Sequence, residues 1–323
     1  MPAEFESGFF YREPAWHKQG VVVDHVLTAA EAIELIGDWT VITCPLFAEI
    51  EQGGVKTLYP VDGAFATVRT DTNAVLGIVG SRYHPVQNRD LFKFFDPVVD
   101  RETGTFYHTG GVLQGGKKIW ILAKVPGDFY VPGVEDDLIE NYVLLCSSHD
   151  GSLVVMAKHT PVRVVCANTL AMALHGGVAI KVKHTRNADR ALLDAHRILG
   201  LATKRIVQVQ EAAEVLNGIP ITDKAIAGLF AKLFPLKDDK EEETTYVKNQ
   251  KERLHMLFEA DNNKLTGMQH TGWAAYNVVA EFVDHMLPAH ANTDTLNRTW
   301  FGRGENIKRS AFAYVMKQEW ENG

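Results

Sequence analysis

The chain has 323 residues, of which 46% are hydrophobic and 23% charged, with a formal net charge of −7; this composition excludes a disordered polymer and leaves room for two structural regions. Three scattered cysteines, Cys44, Cys146 and Cys166, exclude a disulfide framework and point to a reducing cytoplasm. No stretch approaches the roughly 20 apolar residues of a membrane helix, and Met1–Gly20 carries Glu4, Glu6, Arg12 and Glu13 where a secretory signal would be apolar.

Thr28-Ala-Ala-Glu31 is a capping box and predicts a short helix to Gly37. Short β-type runs follow at Trp39–Glu51, Gly54–Tyr59, Ala64–Arg69 and Val75–Gly80, separated by turn formers such as Asp62-Gly63. Asn88 is expected to cap a helix through Phe95. Strands are predicted again at Thr105–Thr109, Lys117–Val125, Glu140–Cys146, Leu153–Lys158, Val162–Val165 and Val178–Lys183. In the second of these, Ile119, Ile121, Ala123 and Val125 alternate with Trp120, Leu122 and Lys124, the pattern of a strand covered on both faces.

After Arg186 the period changes from two to about 3.6. Ala188, Ala191, Ala195, Ile198, Ala202, Ile206, Val209, Ala213 and Leu216 form one stripe of a long helix ending near Gly218 and Pro220. Further helices are predicted over Thr222–Phe234, Glu242–Ala260, Thr271–Leu287 and Glu305–Glu321, with a charged loop at Lys237–Thr245. The expectation is an α+β protein. Residues 1–186 would form a largely antiparallel, mainly β core, and residues 187–323 a helical region packed on it.

Several motifs fail on inspection. Gly111-Val-Leu-Gln-Gly-Gly116-Lys117 has phosphate-loop spacing, but Lys118 stands where Ser or Thr would hold magnesium and the segment leads into a strand, so it reads as a hairpin. His159, Cys166, His175 and His184 lack zinc-site spacing, and no metal or cofactor is expected. Ser147-Ser148-His149-Asp150 holds triad residue types, but neighbours in sequence rarely converge, and a turn is the better reading. No catalytic constellation stands out.

Between Gly151 and Gln210 lie nine Lys or Arg and only two Asp, a local charge of +7 in an acidic chain. Lys181 and Lys183, two residues apart on a strand, share a face opposite Val182. Lys158, His159, Arg163, Lys181, Lys183, His184, Arg186 and Arg190 would line one sheet face and the start of the long helix, making a groove for a phosphate backbone. Arg197, Lys204 and Arg205 would add a cationic back to that helix. Tyr83, with Trp120 and Tyr142 behind it, is a candidate to stack on bases, while Asn168 and Thr169 are expected to cap a helix.

Pro14-Ala15-Trp16-His17, Gly80-Ser-Arg-Tyr83-His-Pro85-Val-Gln-Asn88, Thr160-Pro-Val-Arg163-Val-Val-Cys166-Ala-Asn168-Thr169-Leu170, Lys183-His184-Thr185 and Trp273-Ala-Ala-Tyr276-Asn277 together resemble the phage/plasmid-like protein family, domain of unknown function nine hundred thirty-two. The resemblance covers nearly the whole chain. It implies a protein of bacteriophages, plasmids and other mobile elements, often of actinobacteria, and brings no established chemistry with it. A basic sheet face backed by a long helix is similar in outline to phage single-strand annealing proteins. The leading expectation is therefore a cytoplasmic, homo-oligomeric protein that binds single-stranded nucleic acid in recombination or replication. The alternatives are a nucleic-acid or nucleotide-processing enzyme built on His149, Asp150 and His184, and an interaction protein that disarms a host defence.

Overall fold

The structure is a computed structural model that describes residues 5–12, 19–95, 99, 104–163, 168–169, 180–186, 195–235, 244–287 and 303–321. The fold is α+β and mostly antiparallel, with the helices concentrated toward the C-terminus. The chain divides into two compact units. The first comprises Met1–Pro126, Tyr142–His159 and Val178–Ala202, and the second Gly127–Asn141, Thr160–Gly177 and Thr203–Gly323.

The larger sheet runs β10-β9-β8-β7-β6-β1-β2, with β11 also paired to β9. Its strands are β1 (Phe5–Tyr11), β2 (Val21–Val23), β6 (Phe106–Leu113), β7 (Lys118–Tyr130), β8 (Leu138–Ser148), β9 (Val155–Arg163), β10 (Asn168–Thr169) and β11 (Ile180–Val182). Ile119, Ile121, Ala123 and Val125 on β7 are buried, Leu122 is buried on the other face, and Trp120 and Lys124 are half-buried. This is the two-sided cover that their alternation predicts. The glycine-rich segment is a hairpin: β6 and β7 pair antiparallel on either side of a 3₁₀ turn at Gln114–Gly116.

The smaller sheet lies wholly in the first unit and has the order β3-β4-β5, with β3 (Val41–Gln52), β4 (Val55–Arg69) and β5 (Val75–Gly80). Two separate predicted strands merge into β4. Pro45 pairs with Phe65 and Phe47 with Pro60, so Leu46 faces the unmatched run Val61–Ala64. The Asp62-Gly63 signal therefore marks a wide bulge rather than a chain reversal.

The capping box forms as predicted at the start of α1 (Ala29–Ile36): the Thr28 hydroxyl accepts the Glu31 amide and Glu31 accepts the Thr28 amide. Helix α2 spans Asn88–Phe95. Here the cap differs from expectation, because the Asp90 carboxylate accepts from the Gln87 amide while the buried Asn88 side chain is used elsewhere.

The second unit is built around α3 (Ala195–Gly218) from Thr203 on, α4 (Asp223–Leu233), α5 (Thr245–Phe258), α6 (Gly272–Glu281) and α7 (Arg303–Glu321). Thr222, Thr244 and Thr271 cap α4, α5 and α6 through their hydroxyls. Val209, Ala213 and Leu216 of the predicted stripe are buried in a core with Leu229, Phe230, Leu254, Trp273, Tyr276 and Val315. The Trp273 indole donates to Asp137 Oδ2 at 2.7 Å, and Lys308 and Asp284 form an ion pair at 2.5 Å with both side chains buried. Beyond α6 the backbone widens into a π turn at Phe282–Met286. The first part of the predicted stripe, Ala188 and Ala191, lies outside the described residues, as does most of the Lys237–Thr245 loop. No helix among the described residues is long and apolar enough to cross a membrane.

Candidate functional site

The cationic segment lies on β11, which pairs antiparallel with β9 through Ile180–Ala157, Lys181–Met156 and Val182–Val155. Val182 is buried, while Lys181 and Lys183 on either side of it are exposed, as is Arg186. Directly opposed residues of an antiparallel pair share a face. Lys181 therefore stands on the Met156 side, where alternation along β9 also places Lys158. The same alternation sends His159 to the other face, so Lys158 and His159 do not line one surface as expected. Both are half-buried and engaged in interactions of their own. Arg163 ends β9 in the second unit, and its side chain lies outside the described residues, as does the whole of Arg190. Lys204 on α3 is exposed, whereas Arg205 is half-buried, donates to Gln208 Oε1 at 3.1 Å, and is less basic than usual through burial and the nearby charge of Arg309.

His184 departs most from its expected place. It sits among the exposed cations in sequence but is only 6% exposed. Its ring stacks on Tyr83, with centroids 4.8 Å apart and planes inclined by 19°. Its Nε2 lies 3.1 Å from the Leu153 carbonyl and 3.4 Å from Ser147 Oγ. The His84 amide donates to the His184 carbonyl at 3.0 Å, and Tyr83 Oη donates to the Ser148 carbonyl at 2.9 Å. One ring face of Tyr83 is thus already occupied and the residue is half-buried, which leaves a base no more than its other face, while Tyr142 is buried. Burial, with the charge of Asp150, pushes the Tyr83 phenol above its ordinary range. Burial holds the His184 imidazole below its ordinary range, opposed in part by its backbone hydrogen bonds.

A second histidine lies within electrostatic reach of the first. His149 is fully buried, its Nε2 2.8 Å from Asn88 Oδ1, and Asn88 Nδ2 donates to the Gly37 carbonyl at 3.0 Å. That last bond orients the amide, so its oxygen accepts and His149 Nε2 must carry the proton. The Trp39 ring meets His149 edge-on at 5.4 Å, and Arg69 lies over Trp39 at 4.3 Å. Burial, the neighbouring His184 and Arg69 together outweigh Asp150 and bring the His149 pKa down to about 3. Asp150 is partly buried, which works against its charge, but hydrogen bonds from Ser152 and Ser148 hold its carboxyl below the usual range.

The Ser147–Asp150 segment is therefore more than a turn. Ser147 and Ser148 end β8 as strand residues, and the reversal begins at His149. Ser148 Oγ clasps the far side of that reversal, accepting the Leu153 amide at 2.8 Å and reaching the Leu153 carbonyl at 3.2 Å. Three sequence segments that read as separate motifs, Gly80–Asn88, Ser147–Asp150 and Lys183–Thr185, meet in one enclosed polar cluster. The readable signal was an apolar strand ending in four polar residues before Gly151. Asn168 and Thr169 form β10 opposite Arg163 and Val162, and the residues after them, where the helix they are expected to cap would begin, lie outside the described residues.

Chemically the cluster is closed. With its Nε2 committed to Asn88 and the ring fully buried, His149 has no route to a substrate. Among the described residues no three His, Cys, Asp or Glu side chains gather as metal ligands. A separate cleft of about 560 Å³ is lined by Glu6, Glu34, Asp38 and Asp71, and its Arg69 is paired with Glu6 at 2.5 Å and Asp71 at 2.8 Å. Its net negative lining disfavours a phosphate. The surface that the cluster does serve is the exposed segment bearing Lys181, Lys183 and Arg186, because His184 fastens that segment to the sheet between its cations.

Searches of curated proteins and of solved structures return no match to this chain. A family model described as a domain of unknown function, DUF932, matches residues 75–300. That span holds the Gly80–Asn88, Ser147–Asp150 and Lys183–Thr185 segments of the cluster, and it covers well over half of the sequence: the chain belongs to the DUF932 family.

Proposed function

We propose that this is a phage or plasmid protein that binds single-stranded nucleic acid in the host cytoplasm, as a homo-oligomer, and acts in recombination or replication in the manner of an annealing protein. The observation that carries the reading is the pinned cationic segment, with Lys181, Lys183 and Arg186 exposed around the buried anchors Val182 and His184. Cations held on an ordered strand lose little conformational entropy when they meet phosphates. Phosphate contacts supply affinity without sequence preference, as an annealing role requires. The acidic remainder of the chain confines a polyanion to this segment.

Purified protein should retard a single-stranded oligonucleotide at low salt, and Lys181→Glu with Lys183→Glu should weaken binding by at least tenfold while leaving the fold intact. Equal retardation by wild type and the double variant would overturn the assignment. An enzyme built on His149, Asp150 and His184 is the weaker reading, because His149 is fully buried with its Nε2 held by Asn88. Turnover of a nucleic acid that is abolished by His184→Ala yet survives Lys181→Glu with Lys183→Glu would establish it over the first.

A further inference from the structure

The β3–β4 hairpin extends beyond the small sheet as a two-stranded arm. β5 pairs with β4 only over Ala64–Val68, so the part of the hairpin from Phe47 to Pro60 has no third strand among the described residues. Its tip is Gly53-Gly54, with φ of 60° and 80°, the backbone of a two-residue hairpin turn that favours glycine. Every residue of Phe47–Gln52 and Val55–Gly63 is exposed. An isolated two-stranded ribbon is marginal in water, and both edges of this one face no further strand among the described residues.

The arm is nonetheless rich in large apolar side chains: Phe47 is 52% exposed, Ile50 44%, Val55 65%, Leu58 62% and Tyr59 50%. Cross-strand register places Phe47, Leu58 and Pro60 on one face and Ala48, Ile50, Val55 and Tyr59 on the other. The outer face of the small sheet continues the theme, because Ile42, Val68 and Val75 lie in one cross-strand row and Ile78 pairs with Ala66 on the same face. Ile42, Val75 and Ile78 are also exposed. Taking about 150 Å² for a fully exposed large side chain, the low end of the aromatic range, these eight residues together offer on the order of 700 Å² of apolar surface, divided between the two faces of the arm. A standard interface takes roughly 800 Å² from each partner, so a partner reaches that size by covering both faces.

We infer that the β3–β4 arm and the outer face of the small sheet form a self-association surface, occupied by the same elements of a second copy of this chain. Charge selects that occupant. From Phe47 to Pro60 the arm carries only Glu49, Glu51 and Lys56, and Lys56 is paired with Glu49 at 2.7 Å. Two arms therefore meet with little repulsion although each chain has a net charge of −7. The same charges give a nucleic acid or an anionic membrane no free cation to hold. An interface made by the same elements of two copies is isologous and closes about a twofold axis, the commonest oligomer symmetry.

The proposal rests on the homo-oligomer of the reading above and names its surface; tested without nucleic acid, its outcome is separate from that of the nucleic-acid binding. Sedimentation velocity of the full chain across a concentration series should show a concentration-dependent multimer. Phe47→Glu with Leu58→Glu, and separately Val75→Glu with Ile78→Glu, replace side chains that are already exposed, so the circular-dichroism spectrum should be unchanged. Loss of the multimer in either folded double variant, with at least a tenfold weaker self-association, supports the proposal. A wild type that stays monomeric throughout the series, or a multimer untouched by both variants, overturns it.

Discussion

At the scale of single residues, the pair His149 and Asn88 joins the most deeply enclosed polar contacts of the first unit. The folded protein keeps His149 neutral down to about pH 3, whereas an unfolded histidine takes its proton near pH 6.5. Between those values the unfolded chain binds more protons, so stability rises with pH and is lost as pH falls. His184 acts in the same direction, because its folded pKa is also lowered. Urea unfolding should lose stability below about pH 6.5, with His149 alone contributing up to about 1.4 kcal/mol per pH unit. In His149→Gln that slope should shrink, and an unchanged pH profile would contradict the buried neutral assignment. Asn88→Ala leaves the His149 N–H and the Gly37 carbonyl without their partner, so a loss of about 1–3 kcal/mol in the same assay is expected.

At the scale of elements, the small sheet approaches the reversal at Asp150 most tightly at a glycine. A Cβ on Gly77 of β5 would lie 2.6 Å from Asp150 Cα and 2.8 Å from its carbonyl oxygen, both backbone atoms that cannot swing aside. Gly77→Ala should therefore push β5 away from the reversal after β8, with an overpacking cost of about 1–3 kcal/mol in thermal or urea unfolding. Gly80→Ala, at the end of the same strand, meets open space and serves as the control. Most elements were legible because their signals are local: the Thr28–Glu31 box, the two-sided alternation of β7, and the apolar stripe of α3 through Val209, Ala213 and Leu216 all read directly from spacing. The errors arose where local signals have two structural uses. Asp62-Gly63 punctuates a bulge as readily as a turn, and Asn88 looks like a cap because a short polar side chain before an apolar helix usually is one. Its true partners, Gly37 and His149, lie 51 and 61 residues away, a distance that no periodicity encodes. The enclosed cluster escaped for the same reason. Its members look polar and therefore superficial one segment at a time, and only the pairing of distant segments buries them.

For the whole molecule the informative quantity is how its charge is distributed. The net charge of −7 conceals the +7 stretch from Gly151 to Gln210, and of its eight proposed contact residues three, Lys181, Lys183 and Arg186, are exposed and described in side-chain detail. If these three carry the phosphate contacts of each protomer, counterion release sets the salt response. The logarithm of the binding constant for a single strand should fall against the logarithm of salt concentration with a slope of about −2, from roughly −0.7 per neutralised phosphate. Lys181→Glu with Lys183→Glu leaves Arg186 alone and should bring the slope toward about −0.7. Lys204→Glu changes the total charge by the same amount as one of those substitutions, but on exposed α3 rather than at β11. Equal loss of slope per charge from Lys204→Glu would mean that total charge, not the pinned strand, governs binding. A selective effect at Lys181 and Lys183 would locate the anion where His184 holds its neighbours in place.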